Sequence, residues 1–181
     1  MKRFTLIKKD NLELSSLIPL IKELIGFSVI EETNEYLLIK HNYINDNDIN
    51  DLLISYSREL LTNIVAYNST LDEKQDFELN LIVSNLKYLT NGIYNIKSIL
   101  TIIPKNNTKE VLEELLSQTG ITIDFIKDYV KYDLNISKAS KGMYIHRNTM
   151  NYKLDKLKSL TSFDLRKFND AYILYNLIMN M

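Results

Sequence analysis

A chain of 181 residues with 45% apolar content and a net charge of −1 has enough material to bury a core, so disorder and a uniformly basic nucleic-acid coat are both excluded. It holds no cysteine, which removes disulfides, thiolate metal sites and cysteine nucleophiles and suits a reducing cytoplasm. The start, MKRFTLIKKDNLEL, lacks the continuous apolar core of a signal peptide, and residues 171–181, the most apolar segment, fall far short of the roughly 20 residues of a membrane helix, so a soluble cytoplasmic protein is expected.

Residues 4–7 (FTLI) open as a short strand. Residues 11–25 carry Leu14, Leu17, Ile18, Ile21, Leu24 and Ile25 at three- and four-residue spacings, with Gly26 as a stop. This predicts an amphipathic helix, in which Pro19 either makes a kink or marks a start at Ser15 or Ser16. Residues 27–30 and 36–40 are β-branched or aromatic runs on either side of EETNE, a hairpin pattern. A long helix is expected from Asp46 to about Tyr67, with Ile49, Leu52, Leu53, Tyr56, Leu60, Ile64 and Tyr67 on its apolar face. Residues 77–83 (FELNLIV) alternate, which favours a strand, and a helix from Gly92 to about Ile103 follows and stops at Pro104.

The segment PKNNT, residues 104–108, is the best linker in the chain. The expected fold class is therefore α+β: a small α/β accessory or sensing domain over residues 1–104, then an all-helical domain over residues 105–181. In the latter, residues 112–116, 123–132 and 169–181 read as helices, the last apolar on nearly every side. Catalytic signals are poor. NDNDIND around Asp46 and Asp48 suggests a calcium loop, but Asp51 occupies the required glycine position and Ser57 that of the final glutamate, so it reads as a helix-capping loop. With His41 and His146 as the only histidines, and no glycine-rich phosphate loop, no enzyme activity, metal or cofactor is expected.

Charge is concentrated in one place. Residues 134–160 hold five lysines and one arginine against Asp155, a net of +5 that leaves −6 for the rest. The segment reads as two helices joined by a tight turn. At about 100° per residue, Leu154, Leu157 and Thr161 fall in one sector with Met150, while Asn148, Asn151, Tyr152 and Asp155 fall opposite, flanked by Thr149 and Lys156. One stripe packs, and a polar, basic stripe is left for a partner such as DNA.

From residue 124 to 175 the chain resembles the C-terminal helix-turn-helix of the PucR/CdaR family of bacterial regulators. The family pattern reads close to N-x-S-x-x-A-x-x-L-Y-I-H-R-N-T-L-x-Y-R-L-x-K-I-x-x-L-T-G-x-D-x-R-x-F-x-D-A. It meets Asn135, Ser137, Met143, the uninterrupted YIHRNT of residues 144–149, then Met150, Tyr152, Lys153, Leu154, Lys156, Leu157, Leu160, Thr161, Asp164, Arg166, Phe168, Asp170 and Ala171. The chain departs from it at Ser140, where a second alanine is usual, and at Gly142, inside the first helix at a cost of about 1 kcal/mol against alanine. Lys153 replaces an arginine, keeping charge but losing the bidentate fork, and Ser162 replaces the glycine that would end the second helix. The strand-then-helix layout expected over residues 77–103 resembles the tail of the degenerate GGDEF-like domain that often precedes this helix-turn-helix. No GGDEF sequence or paired metal-binding acids are present, so cyclase chemistry is not implied.

The resemblance implies a transcription regulator whose second helix enters the major groove of double-stranded DNA, led by residues 146–149. Arg147 suits a guanine edge or a phosphate, Asn148 has the donor and acceptor for adenine, and Thr149 offers a hydroxyl or a methyl. His146 either fixes the turn or touches DNA. Ser137 either caps the first helix or meets phosphate, and Lys138, Lys141, Lys153 and Lys156 suit the backbone. Asn151 and Tyr152 complete the exposed face, whereas Asp164, Arg166 and Asp170 are expected in ion pairs or caps. A homodimer is expected, with a small-molecule effector open. The competing readings are a helix-turn-helix that has become a protein-interaction module, and a ligand-binding regulatory protein whose N-terminal pocket matters most.

Overall fold

A computed structural model describes residues 2–8, 14–25, 29–42, 46–69, 75–102 and 108–180. The chain divides into two compact units, Met1–Ile96 and Lys97–Met181. The division falls within a short helix rather than at the PKNNT linker, of which residues 104–107 lie outside the described residues.

The first unit is built on a five-stranded sheet of order β2-β3-β1-β4-β5. The strands are β1 (Lys2–Lys8), β2 (Val29–Glu32), β3 (Tyr36–Asn42), β4 (Val65–Asn68) and β5 (Gly92–Tyr94). β1 lies in the middle, antiparallel to both β3 and β4, because Phe4, Thr5, Leu6 and Ile7 are all buried and only a central strand hides both faces. The expected hairpin is present as β2 and β3, with Thr33 closing its turn onto Tyr36; Gly26, Phe27 and Ser28 lie outside the described residues.

Helices α1 (Leu14–Ile25) and α2 (Asp46–Leu60) cover one face. Leu17, Ile21, Ile49, Leu53 and Tyr56 meet Ile7, Leu37, Ile39 and Ala66 there in one buried cluster. Among the described residues α1 begins at Leu14, one residue before Ser15, and continues through Pro19, and a hydrogen bond of 2.5 Å between the hydroxyls of Ser16 and Tyr56 ties it to α2. The NDNDIND run forms the first turns of α2, from Asp46 onward.

Three expectations for this unit are corrected. The helix begun at Asp46 ends at Leu60, not near Tyr67: Leu61 turns the chain at φ 50°, and Ile64 and Tyr67 belong to the extended segment around β4. Residues 77–83 are not a strand but lie in helix α3 (Gln75–Asn85). The run FELNLIV satisfies both periods, and topology decides between them. β4 and β5 pair in parallel, which requires a crossover, and α3 is that crossover. Its buried positions Glu78, Leu81 and Ile82 then stand at helical spacing, with Glu78 accepting from Tyr67 and, at 2.6 Å, from Ser69. Finally, residues 92–94 are β5, and of the described residues 92–102 only Ile96–Ile99 is α-helical (α4). The strand-then-helix layout that carried the GGDEF-like resemblance is therefore absent; a helix precedes the strand.

The second unit is helical: α5 (Thr108–Leu116), α6 (Ile123–Lys131), α7 (Ile136–Gly142), α8 (Arg147–Thr161) and α9 (Phe168–Met179). Leu112, Leu115, Ile126, Tyr129, Met150, Leu154, Leu157, Phe163, Leu165 and Leu174 are fully hidden and form its core. α9 buries Ala171, Leu174 and Ile178 but leaves Phe168, Tyr172 and Met179 more than half exposed, so it is not apolar-buried on every side. Among the described residues no helix is long and apolar enough to cross a membrane.

Candidate nucleic-acid interface

The helices of the pair α7–α8 are capped at every end, by side chains at their N-termini and by backbone bonds at their C-termini. Asn135, not Ser137, caps α7: its side-chain oxygen accepts from the N–H groups of Ser137 and Lys138, both at 3.0 Å. Asparagine sits at the extended residue before the helix, whereas Ser137 is already inside it and exposed, so of the two roles open to Ser137 the capping one falls to Asn135 instead. At the other end Tyr144 N–H donates to Lys141 O (3.3 Å) and Ile145 N–H to Ser140 O (2.9 Å). That pattern is a Schellman closure, with Tyr144 at φ 54° in the position glycine usually takes.

α8 begins immediately after this turn. His146 is its N-cap, with Nδ1 accepting from Asn148 N–H at 3.2 Å. Of the two roles open to His146, the structure supplies the turn-fixing one. Met150, Leu154, Leu157 and Thr161 are all fully buried, as the helical spacing requires. The Thr161 hydroxyl donates to Leu157 O (2.7 Å) and accepts from Phe163 N–H (3.2 Å), and Ser162 closes α8 in the left-handed region at φ 64°.

Opposite that stripe, Arg147, Asn148, Thr149 and Tyr152 are exposed, and Asn151 and Lys156 are half-buried. Among the described residues the side chains of Arg147, Asn148, Thr149, Tyr152, Lys141 and Lys156 have no hydrogen-bond or ion-pair partner of their own. The other two expected lysines are engaged within the protein. Lys153 Nζ donates to Gly120 O at 3.1 Å and lies 5.6 Å from the centre of the Phe125 ring, and Lys138 pairs with Asp133 at 3.0 Å. The structure thus brings Arg147, Asn148, Thr149 and Tyr152 onto one free surface and turns Lys153 inward.

A charged brace lies beneath. Arg166 bonds Asp164 at 2.7 Å and reaches Asp155 of α8 at 2.8 Å, and Lys158 stands 3.5 Å from Asp164. Asp170 accepts from Asp164 N–H (2.8 Å) and from Lys97 (2.7 Å), which also lies over the Phe163 ring. Burial pushes the Asp164 carboxyl up, but the side-chain and backbone bonds from Arg166 and the charges of Arg166 and Lys158 outweigh it, holding the group below its ordinary value. The Arg166 guanidinium is raised, first by its bond to Asp164. Asp164, Arg166 and Asp170 are thus pairs and caps, as expected, and the brace fixes the C-terminal half of α8.

Gly142 has a reason that its sequence position hid. A Cβ there would stand 2.5 Å from Tyr132 Cε1 and overlap Cζ and Oη more closely still. The glycine at the end of α7 makes room for that ring. Sequence reasoning also passed over Tyr144, which is 97% exposed beside Arg147 in the turn. Its left-handed conformation is not a tyrosine preference, and only its place inside YIHRNT hinted at a role. Lys97 was missed as well, since nothing local ties it to Asp170.

Comparison with known proteins places this geometry. Residues 123–177 match the model of the PucR C-terminal helix-turn-helix domain. The chain is 30% identical over 60 residues to the carbohydrate diacid regulator of Escherichia coli (strain K12), covering 33% of this chain and 16% of that protein. It is 30% identical over 53 residues to the DNA-binding transcriptional activator AdeR of Bacillus subtilis (strain 168), covering 29% and 13%. The matched stretch therefore spans less than a fifth of either relative. A crystal structure of a regulator of polyketide synthase expression from Bifidobacterium adolescentis aligns over 99% of this chain and 79% of its own, with 16% identity and a TM-score of 0.49. Over residues 123–177, which contain α6 to α8 and most of α9, the chain is thus similar to the PucR C-terminal helix-turn-helix domain.

Proposed function

We propose that the chain is a cytoplasmic, sequence-specific transcription regulator that binds double-stranded DNA by laying the N-terminal half of α8 in the major groove. The observation that carries this reading is the run Arg147, Asn148, Thr149: exposed, without side-chain partners among the described residues, and opening a helix whose opposite stripe is fully buried. A helix so anchored presents these side chains with little freedom to reorganise, which is what base reading needs. Arg147 and Asn148 read base edges, Thr149 and Tyr152 flank them, and Asn151 lies behind.

Lys141 and Lys156 carry the phosphate contacts, with Ser137 and Lys138 at the margin of the same surface; Lys138 must exchange Asp133 for a phosphate to take part. His146 and Lys153 act by holding the element in place. One bidentate base contact discriminates by roughly 1–3 kcal/mol, so a single α8 reads too little sequence for a regulator, and the working unit is a homodimer on two half-sites. The matched relatives, a carbohydrate diacid regulator and a DNA-binding transcriptional activator, support the same reading.

The test is retention of genomic DNA fragments by the full chain at low and at moderate salt. The expected result is a reproducible subset of fragments whose retention falls steeply with salt. Binding that is absent, blind to sequence or indifferent to salt overturns the proposal.

A further inference from the structure

The N-terminal unit contains a cavity of about 470 Å³ between the second half of α2 and the β4–β5 edge of the sheet, within the size range of small-molecule sites. Leu53, Ile54, Ile64 and Ile93 give it an apolar wall, and its polar lining comes chiefly from asparagines and Arg58. Among the described residues no Asp or Glu lines it.

The hydrogen bonds around the cavity give it a sign. Asn91 Oδ1 accepts from Ile64 N–H at 3.2 Å, and because a backbone N–H only donates, the amide NH2 of Asn91 is the end left over. Asn68 Oδ1 accepts from Thr5 (2.8 Å) and its NH2 donates to Asn50 Oδ1 (2.5 Å), so Asn50 also has its NH2 to spare. The Thr5 hydroxyl is itself fixed against His41, 3.2 Å away, which anchors this row in the sheet. Arg58 is exposed, with no side-chain partner among the described residues. The groups offered to an occupant by Asn50, Asn91 and Arg58 are thus all donors. An acceptor-rich occupant fits, and a cation does not.

Two further features narrow the class. Among the described lining residues there is one guanidinium, that of Arg58, and it stands in the last turn of α2, where the helix presents carbonyls and disfavours a second negative charge. The apolar wall, with Ile54 39% exposed, asks for carbon. A monoanion whose two oxygens match the fork of Arg58 and whose body is apolar satisfies both. From these contacts we propose that this cavity is a binding site for a small organic monocarboxylate, held by Arg58 with the Asn50 and Asn91 amides and packed on Ile54 and Ile93.

The full chain, labelled with nitrogen-15, tests this by titration with benzoate, its neutral counterpart benzamide, and inorganic phosphate. Benzoate is expected to give saturable shifts at the amides of Ser57, Arg58, Gly92, Ile93 and Asn95, with benzamide and phosphate weaker by about tenfold or more. Arg58→Gln is expected to weaken benzoate by about tenfold at an unchanged melting temperature, and Arg58→Lys to restore part of the loss. Equal binding of benzoate and benzamide, tighter binding of phosphate, shifts confined to other residues, or no saturable shift overturns the proposal. None of these outcomes touches the DNA reading, which concerns the other unit.

Discussion

Gly142→Ala is the substitution for which local propensity and the structure give opposite signs. Alanine is favoured over glycine in a helix by about 1 kcal/mol, so on propensity alone the change stabilises α7. In the fold the added methyl overlaps the Tyr132 ring, with Cε1 at 2.5 Å, and Tyr132 is half-buried rather than free to leave. Displacing a packed ring for an inserted methyl costs about 1–3 kcal/mol, so with the helix gain of about 1 kcal/mol subtracted the balance is a destabilisation of about 1 kcal/mol at mid-range and about 2 kcal/mol at most, or a fall in melting temperature of roughly 4–15 °C for a unit of this size. The assay is thermal and denaturant unfolding followed by helical circular dichroism. The same substitution is then made in a Tyr132→Ala background, where the overlap is gone and Gly142→Ala is expected to stabilise by about 1 kcal/mol. A variant as stable as the parent with Tyr132 in place refutes the reasoning, as does an equal loss in both backgrounds.

Other substitutions read the remaining features of the helical unit. Ser162→Gly, at φ 64°, is expected to raise stability by about 1 kcal/mol in denaturant unfolding, because glycine holds the left-handed cap without steric penalty. Asp164 has a lowered folded pKa, so its contribution is fully present above the ordinary carboxylate value of about 4 and is lost as the pH falls through the lower folded value. Asp164→Asn is expected to be less stable at neutral pH and to show a shallower acid limb, and an unchanged limb counts against the brace. For DNA binding, Lys141→Ala and Lys156→Ala are each expected to reduce the slope of log affinity against log salt by about 0.9, whereas Lys153→Met leaves the slope unchanged. A slope change from Lys153→Met of the same size would show that its ammonium leaves Gly120 for the DNA.

The buried stripe of α8 was legible because Met150, Leu154, Leu157 and Thr161 carry their packing in their spacing, and all four are fully hidden. The exposed run of residues 147–149 followed from the same geometry. What misled was coincidence of period. Leu60, Ile64 and Tyr67 continue the rhythm of α2, yet the chain turns at Leu61, a residue without a turn signature. FELNLIV alternates like a strand, yet the parallel pairing of β4 with β5 makes it the crossover helix, a demand that no local window contains.

Side-chain destinations were the other gap. Lys153 and Arg147 are both cations in one basic stretch, and only the fold separates the one bonded to Gly120 from the one left free. Gly142 read as a weak helix position until the Tyr132 ring showed what it accommodates. The cavity beside α2 had no signature at all. Its asparagines are scattered over residues 50, 68, 91 and 95, and only the pairing of β4 with β5, with α2 packed beside them, collects them.

The central claim concerns Arg147 and Asn148, and selection of bound sequences from a random DNA pool tests it most directly. The parent chain is expected to enrich one motif in two half-sites, and a variant with both residues changed to alanine is expected to unfold at the parent's temperature while enriching none. Enrichment of the same motif by that variant, or of no motif by the parent, would contradict the account.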